Sequence, residues 1–221
     1  MPVYRFYHDD TLSENQSCTL SETEGKHFAS TLRGKEGDTV ELFNGKGSLA
    51  HAKAVEVTKK SVSVIVERVE HVSPSSQNVL IQALVRGSKL DLIIEKATEL
   101  GIDTFHLFVA DRSEKAVVKE SQLKRLETIT IAACKQSGRL FVPTIVLHDS
   151  LSSTPYAESA YGSFDKDAKP LAIQSFVNGP ESGFSEKELK LLSCSKKATL
   201  STNILRTETA AIAAATVIGL L

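Results

Sequence analysis

Two segments near the C-terminus combine residue types that can do chemistry on a bound ligand. In Asn178-Gly179-Pro180-Glu181-Ser182-Gly183-Phe184, glycines let a backbone approach a ligand closely and Pro180 fixes the turn. An ordinary strand-to-helix loop has the same composition, so both readings stand. In Leu200-Ser201-Thr202-Asn203-Ile204-Leu205-Arg206-Thr207-Glu208-Thr209, a cation and a carboxylate sit just ahead of an alanine-rich stretch. Helix capping accounts for the same residues, with Thr207 as cap and Glu208 at the positive end of the helix dipole. Gly45-Lys46-Gly47-Ser48-Leu49-Ala50 has the spacing of a dinucleotide fingerprint, but no helix opens at its end, so Asn44-Gly45 reads as a hairpin turn. No GxxxxGK[ST], HExxH or GxSxG motif occurs, and the six histidines show no ligand spacing, so no metal is expected. Asn15-Gln16-Ser17 fits a glycosylation sequon that a cytosolic chain would not use.

The elements that must position these segments fall into two halves. From Thr39 to Val69 apolar residues mostly alternate, with Asn44-Gly45 and Lys59-Lys60 at the reversals, which predicts a small antiparallel β unit. Ser73-Pro74-Ser75-Ser76-Gln77-Asn78 reads as a linker, placing the domain boundary between residues 74 and 75. Beyond it strands alternate with helices. Residues 79–85, 104–109 and 171–177 are apolar enough for strands, the last running into the Gly-Pro-Glu segment. Residues 88–100 are helical in period, with Ser88 and Asp91 as a capping box and Gly101 as the stop. Ser121 opens a second helix, and Ser185 with Glu188 caps a third. Such alternation predicts an α/β fold with a parallel sheet, whose ligands bind at the carboxyl ends of the strands.

Composition narrows the class. With 41% hydrophobic residues over 221 positions the chain can bury an ordinary core. The longest strongly apolar stretch, residues 210–221, is too short to cross a membrane and reads as a buried helix. Residues 1–10 lack the pattern of a secretory signal, and Cys18, Cys134 and Cys194 suit reduced structural thiols in a cytoplasmic protein. A formal net charge of −1 argues against nucleic-acid binding through overall charge; any RNA site must be a local patch.

Several motifs then fall into one order. His27-Phe28-Ala29-Ser30-Thr31-Leu32-Arg33, Gly37-Asp38 and Phe43-Asn44-Gly45-Lys46-Gly47 come first. Lys96-Ala97-Thr98-Glu99-Leu100-Gly101, Asp111-Arg112-Ser113, Ala132 to Arg139 with Val142-Pro143, the Gly-Pro-Glu segment and Leu205-Arg206-Thr207-Glu208-Thr209-Ala210 follow. Over almost the whole chain they resemble the 16S ribosomal RNA uracil-N3 methyltransferase family of the SPOUT class. The resemblance implies a PUA-like β-barrel RNA-binding domain at residues 1–74 and a SPOUT domain with a deep trefoil knot at residues 75–221. It also implies a homodimer without membrane or metal partners.

The implied cofactor is S-adenosylmethionine, held largely through backbone groups by Leu84, Asn178, Gly179, Pro180, Glu181, Gly183, Leu200, Ser201, Asn203, Ile204, Leu205, Thr207 and Thr209. The implied reaction is methylation of N3 of a specific uridine in 16S ribosomal RNA of the small subunit. In it Arg206 orients the base or stabilises its developing oxyanion, and Glu208 holds Arg206 or the loop. Arg33, Arg86, Lys96, Arg112, Lys119 and Arg139 are candidates for RNA contacts. Two alternatives are an RNA-binding SPOUT protein with weakened or lost methyl transfer, and a methyltransferase acting on another RNA. The chain departs from the family pattern at Ser182, usually Gly, and at Ser201-Thr202-Asn203, usually Gly-Pro-Arg. It departs also at Asn178, usually apolar, and at Lys135, usually Glu. Losing Gly at 182 and 201 could obstruct a positive φ.

Overall fold

The computed structural model describes residues 4–58, 61–74, 77–113, 117–163 and 173–220. Two units divide the chain: Met1–Ser75 with Cys134–Val142, and Ser76–Ala133 with Pro143–Leu221.

In the first unit, alternation does what a half-buried strand requires. β1 (Tyr4–Tyr7), β2 (Ser17–Thr19), β3 (Thr39–Phe43), β4 (Ser48–Val57) and β5 (Val62–His71) form one sheet in the order β1-β3-β4-β5-β2. Ala50, Ala52 and Ala54 of β4 and Val62, Val64 and Val66 of β5 all face the core. Each Val or Phe so buried contributes about 1.5–3 kcal/mol. The expected antiparallel unit is the centre of this sheet, but the sheet is mixed, because β1 pairs with β3 in parallel. Asn44 makes the β3-to-β4 reversal, its side-chain oxygen accepting from the backbone N–H groups of Lys46 and Ser48. Gly45 and Gly47 take φ of 71° and 95° there, so the fingerprint-like spacing is a hairpin. The expected reversal at Lys59-Lys60 lies outside the described residues. Ser21 caps α1 (Glu22–Lys26), and the π turn that follows seats Phe28, fully buried, edge-on to Phe6. Lys135 belongs to this unit, its ammonium 2.6 and 2.7 Å from the two Glu24 carboxylate oxygens.

The second unit is an α/β layer with a six-stranded, all-parallel sheet in the order β11-β9-β10-β6-β7-β8. Its strands are β6 (Val79–Ala83), β7 (Thr104–Phe108), β8 (Thr144–His148), β9 (Ala160–Gly162), β10 (Ser175–Asn178) and β11 (Lys196–Ala198). Three of these were foreseen; the strand expected at residues 171–177 begins at Ser175, its first two positions lying outside the described residues.

α2 (Gly87–Glu99) carries Leu90, Ile93, Ile94 and Ala97 into the core, a stripe at helical spacing. Arg86, not Ser88, is its N-cap, and no side chain caps it. Gly101, at φ 100°, lets the chain leave the helix as expected. α3 (Glu120–Ser137) follows, with its residues up to Ala133 in this unit, and α4 (Glu186–Leu191) opens with the expected capping box of Ser185 and Glu188. α5 (Thr207–Gly219) buries Ala211, Ala214, Ala215 and Ile218 in the same core as α2. Gly219 is needed for that approach, since a Cβ there would run into the Leu100 carbonyl oxygen. Cys18 and Cys134 are buried as expected of structural thiols, whereas Cys194 is exposed. No helix among the described residues is long and apolar enough to cross a membrane.

Candidate functional site

Parallel strands present their carboxyl ends together. There the second unit has a recess of about 120 Å³, walled by Gly162 and Ser163 at the end of β9, Asn178 at the end of β10, Ala198 and Thr199 at the end of β11, and Ala210 of α5. Phe176, Leu200 and Leu205 give it apolar surface, and Ser201 and Asn203 complete it. A cleft of about 440 Å³ shares Asn178, Leu205 and Ala210 with the recess and adds Lys89, Gly179, Pro180, Glu181, Ile204, Arg206 and Thr207. The segments 178–184 and 200–209 thus meet at a single site. A larger recess, of about 710 Å³, opens at the opposite ends of the strands, beside Val79, Ala160, Ser175 and Lys196. In an open α/β sheet the carboxyl ends carry the ligand, so chemistry is assigned to the smaller pair.

A buried polar knot of side chains sets the geometry between them. Asn178 pairs with Gln82 in register across β10 and β6, and its amide donates to Gln82 Oε1 at 2.7 Å. The same amide donates to the Thr207 carbonyl at 2.9 Å and Thr207 Oγ1 at 3.1 Å. Thr207 Oγ1 in turn donates to the Gly179 carbonyl at 2.8 Å. Thr207 is therefore not the helix cap; Arg206 occupies that position and no side chain caps it. The hydroxyl fastens the start of α5 to the Gly-Pro-Glu loop instead.

Arg206 and Glu208 flank this fastening. Arg206 is exposed and lines the cleft, and among the described residues no ion pair joins it to Glu208. Glu208 Oε2 is buried and has no hydrogen-bond partner, a condition that costs free energy unless a ligand or proton meets it. At the cleft mouth Lys89 donates to Glu181 Oε1 at 2.9 Å. Burial pushes the Glu181 carboxyl up, but the hydrogen bond and charge of Lys89, with Arg86 behind it, outweigh that and hold it below the ordinary carboxylate range.

The departures from the family pattern prove compatible with this loop arrangement. Neither Ser182 nor Ser201 has a positive φ; Gly183, at 73°, takes the left-handed position. Ser182 Oγ donates to the Arg112 carbonyl at 2.7 Å, and Ser201 Oγ accepts from the Asn203 N–H at 3.0 Å. The backbone strain that side chains at 182 and 201 could have introduced is absent.

Of the residues expected to bind cofactor, Leu84, Gly183 and Thr209 line neither recess nor cleft. Leu84 is buried, its carbonyl accepting from Ser113 Oγ. Lys89, Gly162, Ser163, Phe176, Ala198, Thr199 and Ala210 line the site without having been picked from sequence. The expected RNA-contact cations divide between the units: Arg33 and Arg139 in the first, Arg86, Lys96, Arg112 and Lys119 in the second. Arg33 is exposed at φ 56°, an uncommon conformation for a non-glycine residue. Lys96 is engaged by Glu95 at 2.7 Å and Glu99 at 2.8 Å. No cluster of three metal-ligating side chains occurs among the described residues.

Comparison with known proteins bears on the same two units. Residues 72–219 match the RNA methyltransferase domain family, and residues 20–67 match the RNA methyltransferase PUA domain family. The ribosomal RNA small subunit methyltransferase E of Rickettsia conorii is 30% identical over 239 aligned positions, which cover 100% of this chain and 97% of that protein. The protein of the same name from Neisseria gonorrhoeae, solved bound to S-adenosyl methionine, superposes with a TM-score of 0.84 at 27% identity, covering 97% of this chain and 95% of that one. A methyltransferase of Legionella pneumophila, solved with its bound cofactor SAM, gives 0.88 at 26% identity over 99% and 97% of the two chains.

Proposed function

The chain belongs to the RNA methyltransferase family, among relatives named ribosomal RNA small subunit methyltransferase E, and from that premise we propose that it methylates N3 of a specific uridine in 16S ribosomal RNA of the small subunit, with S-adenosylmethionine as donor. The observation that carries the proposal is a recess at the carboxyl ends of β9, β10 and β11 that opens beside a cleft bearing Arg206. Phe176, Leu200 and Leu205 offer apolar surface to an adenine, and the turns at Gly162-Ser163 and Thr199 to Asn203 offer backbone donors and acceptors. Ser201 lines the recess with no positive φ, so its side chain does not strain the turn that faces such a ligand. When bound, the cofactor supplies an electrophilic methyl group on sulfur.

The residues of the chain do the rest. N3 lies on the pairing edge of uracil, so the base must enter unpaired, as a single presented nucleotide. Arg206 orients it and stabilises the negative charge that develops on the two carbonyl oxygens flanking N3 as the N3 proton is lost. Glu208, the carboxylate of the first turn of α5, steadies that turn beside Arg206 at its N-cap, and the Asn178–Thr207–Gly179 fastening sets where the turn begins. Positioning supplies much of the acceleration. The knot of the C-terminal half, the homodimer and a cytoplasmic location are proposed with this reading, on the strength of the family resemblance.

The test is calorimetric titration with S-adenosylmethionine, then methyl transfer to small subunits from a strain lacking the modification, with the product nucleotide identified by mass spectrometry. Micromolar binding and 3-methyluridine are expected. Arg206→Ala should lower kcat by about 10²–10³-fold, the range for losing one donor to a developing oxyanion. Unchanged transfer by that variant would remove Arg206 from the mechanism.

A further inference from the structure

We propose that Lys89 receives a backbone phosphate of the target nucleotide, and that Glu181 holds this cation until RNA displaces it. The inference rests on the methyltransferase reading, because it assigns the cleft to the acceptor nucleotide. Lys89 stands in the first turn of α2 and Glu181 in the loop after β10, 92 positions apart, yet they meet at 2.9 Å at the cleft wall. Their side chains are 35% and 41% exposed. An ion pair so open to water stabilises a fold little, which makes a bracing role a weak account of why the charges meet there.

The remaining walls have the chemistry of a nucleotide site. Pro180, Ile204 and Leu205 present apolar surface for a base, Arg206 is a second cation, and about 440 Å³ is within the range of pockets that enclose small ligands. Among the described residues, Glu181 is the one carboxylate that lines the cleft. Glu181 therefore has two effects on an incoming polyanion: it neutralises Lys89 and adds its own repulsion. A stray phosphate gains too little to break the pair. A nucleotide that also seats its base and meets Arg206 gains enough, so the pair filters for RNA that fills the whole cleft.

This arrangement makes the two partners act with opposite sign, whereas a structural brace would make them act alike. The experiment uses the full chain and small ribosomal subunits lacking the modification, with affinity measured between 50 and 200 mM KCl. Lys89→Met should weaken binding about tenfold and reduce the log–log salt slope by about one, the signature of one lost phosphate contact. Lys89→Arg should keep both. Glu181→Gln should tighten binding severalfold at 50 mM KCl. Weakening by both Lys89→Met and Glu181→Gln, or an unchanged slope in Lys89→Met, would overturn the proposal, and the Lys89→Arg and Glu181→Gln results stand even if Lys89→Met folds poorly. S-adenosylmethionine affinity, titrated separately, tells the two readings apart: wild-type protein that binds neither cofactor nor subunits defeats the methyltransferase reading itself, and the Lys89 assignment with it.

Discussion

Asn178 shows how one buried amide can set the geometry between two halves of a site. It is 5% exposed, and its NH₂ group reaches three acceptors that belong to β6 and α5. Removing one partner of a buried hydrogen bond leaves the other unsatisfied, which costs about 1–3 kcal/mol, whereas removing both can be nearly neutral. Asn178→Leu should therefore lower the unfolding free energy in urea by about 1–3 kcal/mol, and Asn178→Leu combined with Gln82→Leu should recover much of the loss. Additive losses in the double variant would show that Asn178 and Gln82 are not coupled. Arg206 and the Gly-Pro-Glu loop could be picked from sequence through the order of motifs that resembles the methyltransferase family, since by residue type alone helix capping and an ordinary loop explain them equally well. Lys89 could not, since its meaning comes from a partner 92 positions away. The capping alternative for Thr207 fails for the same reason, since its hydroxyl donates to the Gly179 carbonyl on a separate loop.

At the scale of elements, β7 and β8 carry a pH dependence of their own. His106 and His148 lie on these neighbouring strands with ring nitrogens 2.8 Å apart. Burial, and then the charge of His148, push the His106 pKa below its ordinary value. In the unfolded chain a histidine titrates near about 6.5. The folded state therefore binds fewer protons than the unfolded state just below that pH, and stability falls with falling pH. The contribution is complete above the unfolded value and is lost as pH drops through the lower folded one. The urea midpoint should thus decline between pH 7.5 and 5.5, and His106→Gln, which cannot titrate, should flatten that decline; an equal decline in the variant would place the dependence elsewhere. Long elements such as α2 and α3 were readable because a stripe repeats over several turns. β9 and β11, of three residues each, are too short to show a period and exist through their parallel neighbours. They build the recess wall, which is why Gly162, Ala198 and Thr199 escaped notice. β8 has no consistently buried face, so no alternation marks it.

For the whole molecule, charge and apolar exposure point to different partners. A formal net charge of −1 on 221 residues gives neither strong self-repulsion nor a general attraction for polyanions. RNA must then be held by a few placed cations, and its affinity should fall with salt in proportion to the number of phosphates met. Association of two copies would draw on something else. Ile204 and Leu220, both in the second unit, are 85% and 82% exposed. Each would gain by being covered, as any apolar side chain removed from water does, and Ile204 stands beside Arg206 in the cleft wall. Burial of apolar surface is not weakened by salt, whereas exposed ion pairs are screened within about 10 Å at 0.1 M. Sedimentation equilibrium should accordingly give twice the 24.0 kDa chain mass at low salt and again at several hundred millimolar, over a range in which subunit affinity collapses. A dimer that dissociates in step with RNA release would mean that charge holds the two copies together. A monomer at every salt concentration would leave Ile204 and Leu220 to be covered by the RNA substrate or by protein of the small subunit.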